Sequence, residues 1–380
     1  MTPGPPPLGV YVHWPYCARI CPYCDFNVVR DRDRTEQKAA LTAAIIADLR
    51  GHAAGMGPRR LVSIFFGGGT PSLMDPEDVA RVIEAARDAW SCEGALEVSL
   101  EANPTDAEAG RFLALARAGV NRLSLGVQSL DDHALKLLGR NHDAGAARRA
   151  IEIATTAFRR LSIDLIYALP GQSLDAWARE LETVASFGPE HVSPYQLTIE
   201  PGAAFHRAVL RGTLVPVSSD LGADFYETTQ SVLESAGFDA YEVSNHARGE
   251  AGRSRHNLIY WRGEDYVGVG PGAHGRLTVA GGRFATASPL AINDYVALVG
   301  REGAGAHRTR LDDREVAVER LLMGLRTVEG VALTDLTVLE IPQTTLEALS
   351  ALVVADDGRL IATPAGRPVL DRVIAELAGV

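Results

Sequence analysis

From residue 9 to about 200, short apolar and β-branched runs alternate with longer stretches of helical periodicity. The strand-like runs are GVYVHW (9–14), LVSIFF (61–66), LEVSLE (96–101), NRLSLG (121–126), LSIDLI (161–166) and HVSPYQL (191–197). Helical patterns of 12 to 20 residues fill 35–54, 76–90, 106–117, 143–157 and 174–187. Two starts carry capping signals: Asp75 precedes Pro76 and Glu77, and Thr105 precedes Asp106 and Glu108. Strands that alternate with helices need crossover connections, which predicts an α/β fold with a mostly parallel sheet. Six such repeats fit an open doubly wound sheet or an incomplete barrel, and periodicity does not choose between them. In both, chemistry is expected at the carboxyl ends of the strands.

Beyond about residue 200 the pattern changes. A helix is predicted over 219–236, then irregular strands and loops through the Gly-, Asn- and His-rich stretch 241–283. Helical periodicity returns in LDDREVAVERLLMGLR (311–326). The remainder predicts helix, short strand, a turn at Asp357–Gly358, strand and helix, the order of a small winged-helix-like module. The 380 residues, too many for one ordinary domain, divide into a loose Pro- and Gly-rich leader (1–8) and a core (9–215). An extension (216–305) and a mainly helical C-terminal domain (306–380) follow.

Composition narrows the function classes. With 46% hydrophobic and 22% charged residues, the chain folds around a sizeable core. Its 37 basic and 48 acidic residues leave a net charge of −11, which argues against nonspecific nucleic-acid binding and against a DNA-reading role for the C-terminal module. MTPGPPPLG has neither a basic n-region nor an apolar h-region, and no apolar run reaches the roughly 18 residues that cross a bilayer. Four cysteines in such a length cannot form a disulfide framework. Three of them within residues 17–24 predict a metal or redox site kept reduced in the cytoplasm.

That trio, Cys17-Ala-Arg-Ile-Cys21-Pro-Tyr-Cys24, directly follows the first strand. Three thiolates can hold three corners of a cubane iron–sulfur cluster and leave one iron without a protein ligand. A structural zinc site would show a second CxxC or CxxH knuckle, and none is present. Cys92, alone in AWSCEG, is expected to be a small buried side chain rather than a ligand.

The chain resembles the radical S-adenosylmethionine enzymes, and within them the oxygen-independent coproporphyrinogen III oxidase family. The resemblance is carried in order by YVHWPYCARICPYCDFN, FFGGGTPS, SLEANP, LSLGVQSLDD, LLGRNH, IDLIYALPGQ and HNLIYW, from about residue 9 to 275. It implies an incomplete (β/α)6 barrel, a 4Fe–4S cluster on Cys17, Cys21 and Cys24, and reductive cleavage of S-adenosylmethionine to a 5′-deoxyadenosyl radical. It further implies that Tyr11, Tyr23, Gly68, Gly69, Thr70, Glu101, Gln128, Arg140 and Asp164 surround that cofactor. The glycines would admit close backbone approach to its methionyl end, and Arg140 would reach its carboxylate or a second cofactor molecule. An electron donor such as flavodoxin or ferredoxin is implied as a partner.

The sequence departs from the oxidase at one position. The oxidase pattern extends the trio to CxxxCxxCxC, whereas here that fourth place is Phe26. CPYCDFN and the HNxxYW segment instead resemble the family's haem-chaperone branch (the HemW type). This implies haem as a ligand and a haem-accepting partner, such as a membrane-associated respiratory protein. His256, Asn257, Tyr260 and Trp261 are the candidate haem residues, an imidazole for iron and rings for the porphyrin face. Internal hydrogen bonding and packing by the same four residues is the alternative, and His246 and His274 compete. GVGPGAHG mimics a dinucleotide fingerprint without its βαβ context. A haem chaperone and a porphyrinogen decarboxylase are thus the two readings. A methylating enzyme would need a methyl-accepting cysteine or an added cofactor domain, and neither is identifiable.

Overall fold

The predicted strands appear as β1 (Pro7–Trp14), β2 (Arg60–Gly68), β3 (Glu97–Ala102), β4 (Arg122–Gln128), β5 (Arg160–Tyr167) and β6 (His191–Gln196). The structure is a computed structural model describing residues 4–379 except 33, 93, 107, 108 and 280, with residue 106 described in its backbone alone. Each strand pairs in parallel with the next. Their spatial order is their chain order, with no reversal. A doubly wound sheet requires a reversal; one-way order with right-handed crossovers places every helix on the same face. The six units therefore wrap as an incomplete barrel, and its sheet does not close on itself among the described residues.

Period-two alternation sets what each face carries. Leu8, Val10 and Val12 of β1, Ile64 and Phe66 of β2, Val98 and Leu100 of β3 and Leu123 and Leu125 of β4 are buried in one core with the helices. Those helices include α1 (Thr35–Ala54), α2 (Pro76–Ala89) and α3 (Ala109–Arg117). The alternate positions are largely polar: Glu97 and Glu101, Arg122 and Ser124, Ser162 and Asp164, His191 and Ser193. Helix α2 starts as expected, the Asp75 carboxylate accepting the Glu77 N–H at 2.9 Å. The Thr105 signal involves Glu108, which lies outside the described residues; a 3-10 turn, Pro104–Asp106, precedes α3.

Three expectations change. Pro7 and Leu8, assigned to the leader, open β1: a proline is tolerated at a strand's first position, and Leu8 is fully buried. The stretch 241–283 is built of regular strands and helices. Asp265–Val269 adds to the free edge of β1 in parallel, and His274–Val279, Gly282–Ala287 and His307–Arg310 continue antiparallel. At the other edge, Asn245–Ala247 and Asp239–Glu242 follow β6. Short strands interrupted by glycines carry too little alternation to be recognised. Finally, HNLIYW is not irregular but the core of helix α4 (Arg255–Trp261), whose Ser254 cap accepts the Asn257 N–H.

The main sheet thus runs on to Arg310, past residue 306. A capping box of Asp312 and Glu315 starts helix α5 (Asp313–Gly324). A three-stranded sheet and helix α6 (Leu370–Ala378) complete the winged-helix-like module around its own core, including Leu321, Leu360 and Val373. The predicted turn falls at Asp357 and Gly358, both at positive φ. Among the described residues no helix is long and apolar enough to cross a membrane.

Candidate active site

At the carboxyl ends of the strands lies a cavity of about 550 Å³. All three motif cysteines border it, with Tyr11, Tyr23, Gly68, Gly69, Thr70, Glu101, Gln128, Arg140, Asp164, His256, Asn257 and Tyr260. Of the predicted site residues Trp261 lies elsewhere, as do the competing histidines His246 and His274. Trp261 packs edge-on to Tyr241 at 5.9 Å and borders a separate cleft against the C-terminal module.

The end of β2 holds the cysteine loop in place. Gly69 N–H donates to the Trp14 carbonyl (2.7 Å) and Thr70 N–H to the Tyr16 carbonyl (2.8 Å). The Thr70 hydroxyl donates to Cys17 Sγ at 3.6 Å. A Cβ at residue 69 would sit 2.6 Å from the Tyr16 oxygen, so two converging backbones already require this glycine. Gly68 N–H donates to Glu101 Oε2 at 3.2 Å. All three N–H groups of the turn are therefore committed within the protein.

Arg140 clasps the same loop from the far side. One guanidinium nitrogen donates to Cys21 Sγ and to the Tyr23 hydroxyl, each at 3.4 Å. Another donates to the Gly126 carbonyl at 2.9 Å and to Asn103. From the rim, Asn27 Nδ2 donates to the carbonyls of Pro271 (3.0 Å) and Leu290 (2.9 Å). Gly272 at φ +81° leaves room for it; a Cβ there would lie 2.7 Å from Asn27 Nδ2. GVGPGAHG is thus an antiparallel connection stapled to the cysteine loop, not a nucleotide turn.

Burial pushes the Cys17 thiol up to about 11, against the lowering effect of Thr70, and pushes Cys24 up as well. Bare, these two sulfurs are protonated at neutral pH, and metal binding would displace the protons. Among the described residues no three His, Cys, Asp or Glu converge on a single metal ion. Three thiols at the cavity wall, with no fourth ligand grouped with them among the described residues, suit a cluster in which each sulfur takes a different iron rather than tetrahedral zinc. Cys92 is exposed rather than buried, on the surface run between α2 and β3, and does not reach the cavity.

Glu101 is pushed up to about 8 by burial and by Asp164, with the Gly68 N–H pulling the other way. Burial also raises Asp164, offset by the hydroxyls of Ser124 (2.7 Å) and Ser162 (3.1 Å). Deeper in the barrel, Glu97 is 2% exposed and pairs with Arg160 at 2.6 Å. It also accepts the N–H groups of Arg255 and His256, both at 3.1 Å, which seats the start of α4 under the cavity floor. His256 bonds Ser63 Oγ through Nδ1 (2.9 Å) and the Tyr260 hydroxyl through Nε2 (2.6 Å), and stacks on Phe65. Burial pushes it down to about 3, so the ring is neutral with both nitrogens engaged. His246 is buried against Gln230, and His274 is exposed outside the cavity. Sequence reasoning missed Asn103, Arg122, Ser124, Ser193 and Tyr195, which also border the cavity. The usable signal was the polar alternation along β4 to β6.

Residues 11–184 match the radical SAM superfamily. The mitochondrial radical S-adenosyl methionine domain-containing protein 1 of Bos taurus is 43% identical over 336 residues, covering 87% of this chain and 75% of the relative. The heme chaperone HemW of Mycobacterium tuberculosis is 34% identical over 381 residues, covering 98% and 95%. HemW of Escherichia coli is 39% identical over 282 residues, covering 73% and 72%. The chain belongs to the HemW family of radical SAM proteins. Among solved structures, coproporphyrinogen III oxidase HemN of Escherichia coli superposes with a TM-score of 0.80 at 20% identity, covering 98% of this chain and 90% of that one. At that identity the likeness establishes the radical SAM fold alone. In this HemW-family chain, Phe26 stands where the resemblance to the oxidase leads one to expect a fourth cysteine. It borders the cavity mouth, 62% exposed.

Proposed function

We propose that this chain is a cytoplasmic haem chaperone: it binds haem, a 4Fe–4S cluster and S-adenosylmethionine, and passes haem to an acceptor such as a respiratory protein. The single observation that carries the reading is Phe26, an exposed apolar ring at the cavity mouth where the oxidase pattern needs a thiol. The HemW names of relatives at 34–39% identity support it. Cys17, Cys21 and Cys24 would hold the cluster, which when bound can supply one electron to a sulfonium bond. The chain's own residues would do the rest. Arg140 and Thr70 orient the sulfurs, Glu101 and Asp164 face the cofactor's cationic groups, and Tyr11 and Tyr23 supply ring surface. His256, Asn257 and Tyr260 lie on the side of the cavity proposed for haem. For His256 to ligate iron, its bond to Tyr260 or to Ser63 must open. We place the barrel, the 216–305 extension and the C-terminal module in one haem-handling unit served by a flavodoxin- or ferredoxin-type donor.

Haem titration of the anaerobically reconstituted protein tests this. A Soret shift at micromolar haem is expected, and its absence removes the proposal. The rival reading, porphyrinogen decarboxylation, has one point in its favour: every predicted adenosylmethionine contact borders the cavity. Turnover of coproporphyrinogen III by the same preparation would reverse the ranking.

A further inference from the structure

Three arginines border the cavity; Arg19 is exposed, and the other two, Arg140 and Arg122, differ in one respect. The guanidinium of Arg140 is engaged by Cys21, Tyr23, Gly126 and Asn103. Arg122 is 2% exposed, yet among the described residues its side chain forms no hydrogen bond and no ion pair, and its Nε is enclosed without a partner. Its neighbours in register, Ser99 and Arg160, offer no anion. The Glu97 carboxylate is already taken by Arg160 and by two backbone N–H groups. Buried polar groups are almost always hydrogen-bonded, and an uncompensated buried charge is strongly destabilising. Through-space attraction to Glu97 and Asp164 offsets the charge but leaves the enclosed Nε–H unsatisfied.

The side chain borders the cavity, as do Ser124 and Ser193. A guanidinium is a planar fork that matches a carboxylate through two parallel bonds. We propose that Arg122 is the carboxylate receptor of the cavity floor, satisfied only when a ligand's carboxylate docks on it. This rests on the reading that the cavity receives S-adenosylmethionine and haem, both of which carry carboxylates.

The test compares acid-bearing ligands with matched partners that lack the acid: S-adenosylmethionine with its decarboxylated form by calorimetry, and haem with haem dimethyl ester by Soret titration. The unmodified, cluster-loaded protein should prefer the acid in one pair by about 10- to 100-fold, the worth of a hydrogen bond to a buried charge. Arg122→Gln should erase that preference while still binding the acid-free partner, and Arg122→Lys should keep part of it. Whichever pair responds names the source of the carboxylate. Preference in neither pair, or preference that survives in Arg122→Gln, overturns the assignment. Equal weakening of both members of each pair also overturns it, as the mark of a structural role or a site filled by water. Failure of haem to bind at all removes the chaperone reading, yet leaves the adenosylmethionine pair to decide the role of Arg122.

Discussion

Replacing Glu101 with Gln should flatten the pH dependence of stability across the neutral range. Gln keeps the shape, and its carbonyl can still accept the 3.2 Å bond from Gly68. In the native protein burial and Asp164 oppose ionisation, so the carboxyl titrates near 8 rather than at its ordinary 4.5. The folded state therefore holds this proton more tightly than the unfolded chain does. That contribution is fully present below pH 4.5 and is lost as the pH rises to about 8. At about 1.4 kcal/mol per pH unit, the interval sets an upper bound of about 5 kcal/mol. Asp164, raised by the same burial, spreads the loss over two linked steps. Urea unfolding of the cluster-free protein from about pH 5 to about pH 9 measures it. Glu101→Gln and the parent should agree within about 1 kcal/mol at the acid end, with the variant ahead by about 3–5 kcal/mol at the alkaline end. Parallel curves would refute the claim that Glu101 is a protonated, strongly desolvated group.

Other predictions are simpler. Glu97→Ala leaves Arg160 and the start of α4 without their buried acceptor and should cost about 3–5 kcal/mol in denaturant titration; under about 1 kcal/mol would show that water replaces it. Alanine at Cys17, Cys21 and Cys24 should abolish cluster absorbance after reconstitution, while Cys92→Ala keeps it; a cluster lost with Cys92 would mean a misassigned ligand set. Gly272→Ala forces a Cβ against Asn27 at a positive φ and should destabilise by about 1–3 kcal/mol. Limited proteolysis should then cut within residues 22–30, and Asn27→Ala should reproduce the pattern. If neither variant changes the digest, the staple does not hold the cysteine loop.

How far the sequence carries can be argued from particular residues. The six parallel strands are legible because each alternates, with Leu, Val and Ile facing the helices and polar groups facing inward. The same alternation held the missed site residues. Ser124 and Arg122 lie two and four positions before Gly126 on β4, and Ser193 sits across from Asp164, as their register shows. They escape attention because serines and arginines in strands are common on solvated faces, and only the curvature of the sheet turns this face inward. The strand at 265–269 was hidden for a different reason. DYVGV is short and ends in a glycine-rich connection, and its partner β1 lies some 250 residues earlier in the chain. Local propensity carries no information about such a pairing. Trp261 shows the opposite failure: motif membership placed it in the site, but helical periodicity sends it to the opposite face from His256 and Tyr260.

The pairing of β1 has a consequence for how the protein is made. One edge of β1 is covered by β2, but the other waits for Asp265–Val269, and the acceptors for Asn27 are Pro271 and Leu290. A ribosome adding 5–20 residues per second reaches residue 290 roughly 13–53 s after Cys24 is incorporated. Throughout that interval the strand that carries the cysteine loop presents an unpaired edge, and the loop has no staple. Locking of the cysteine loop is therefore a late event in the life of the nascent chain, and a chain that stops before residue 265 leaves both the thiols and a sticky strand exposed.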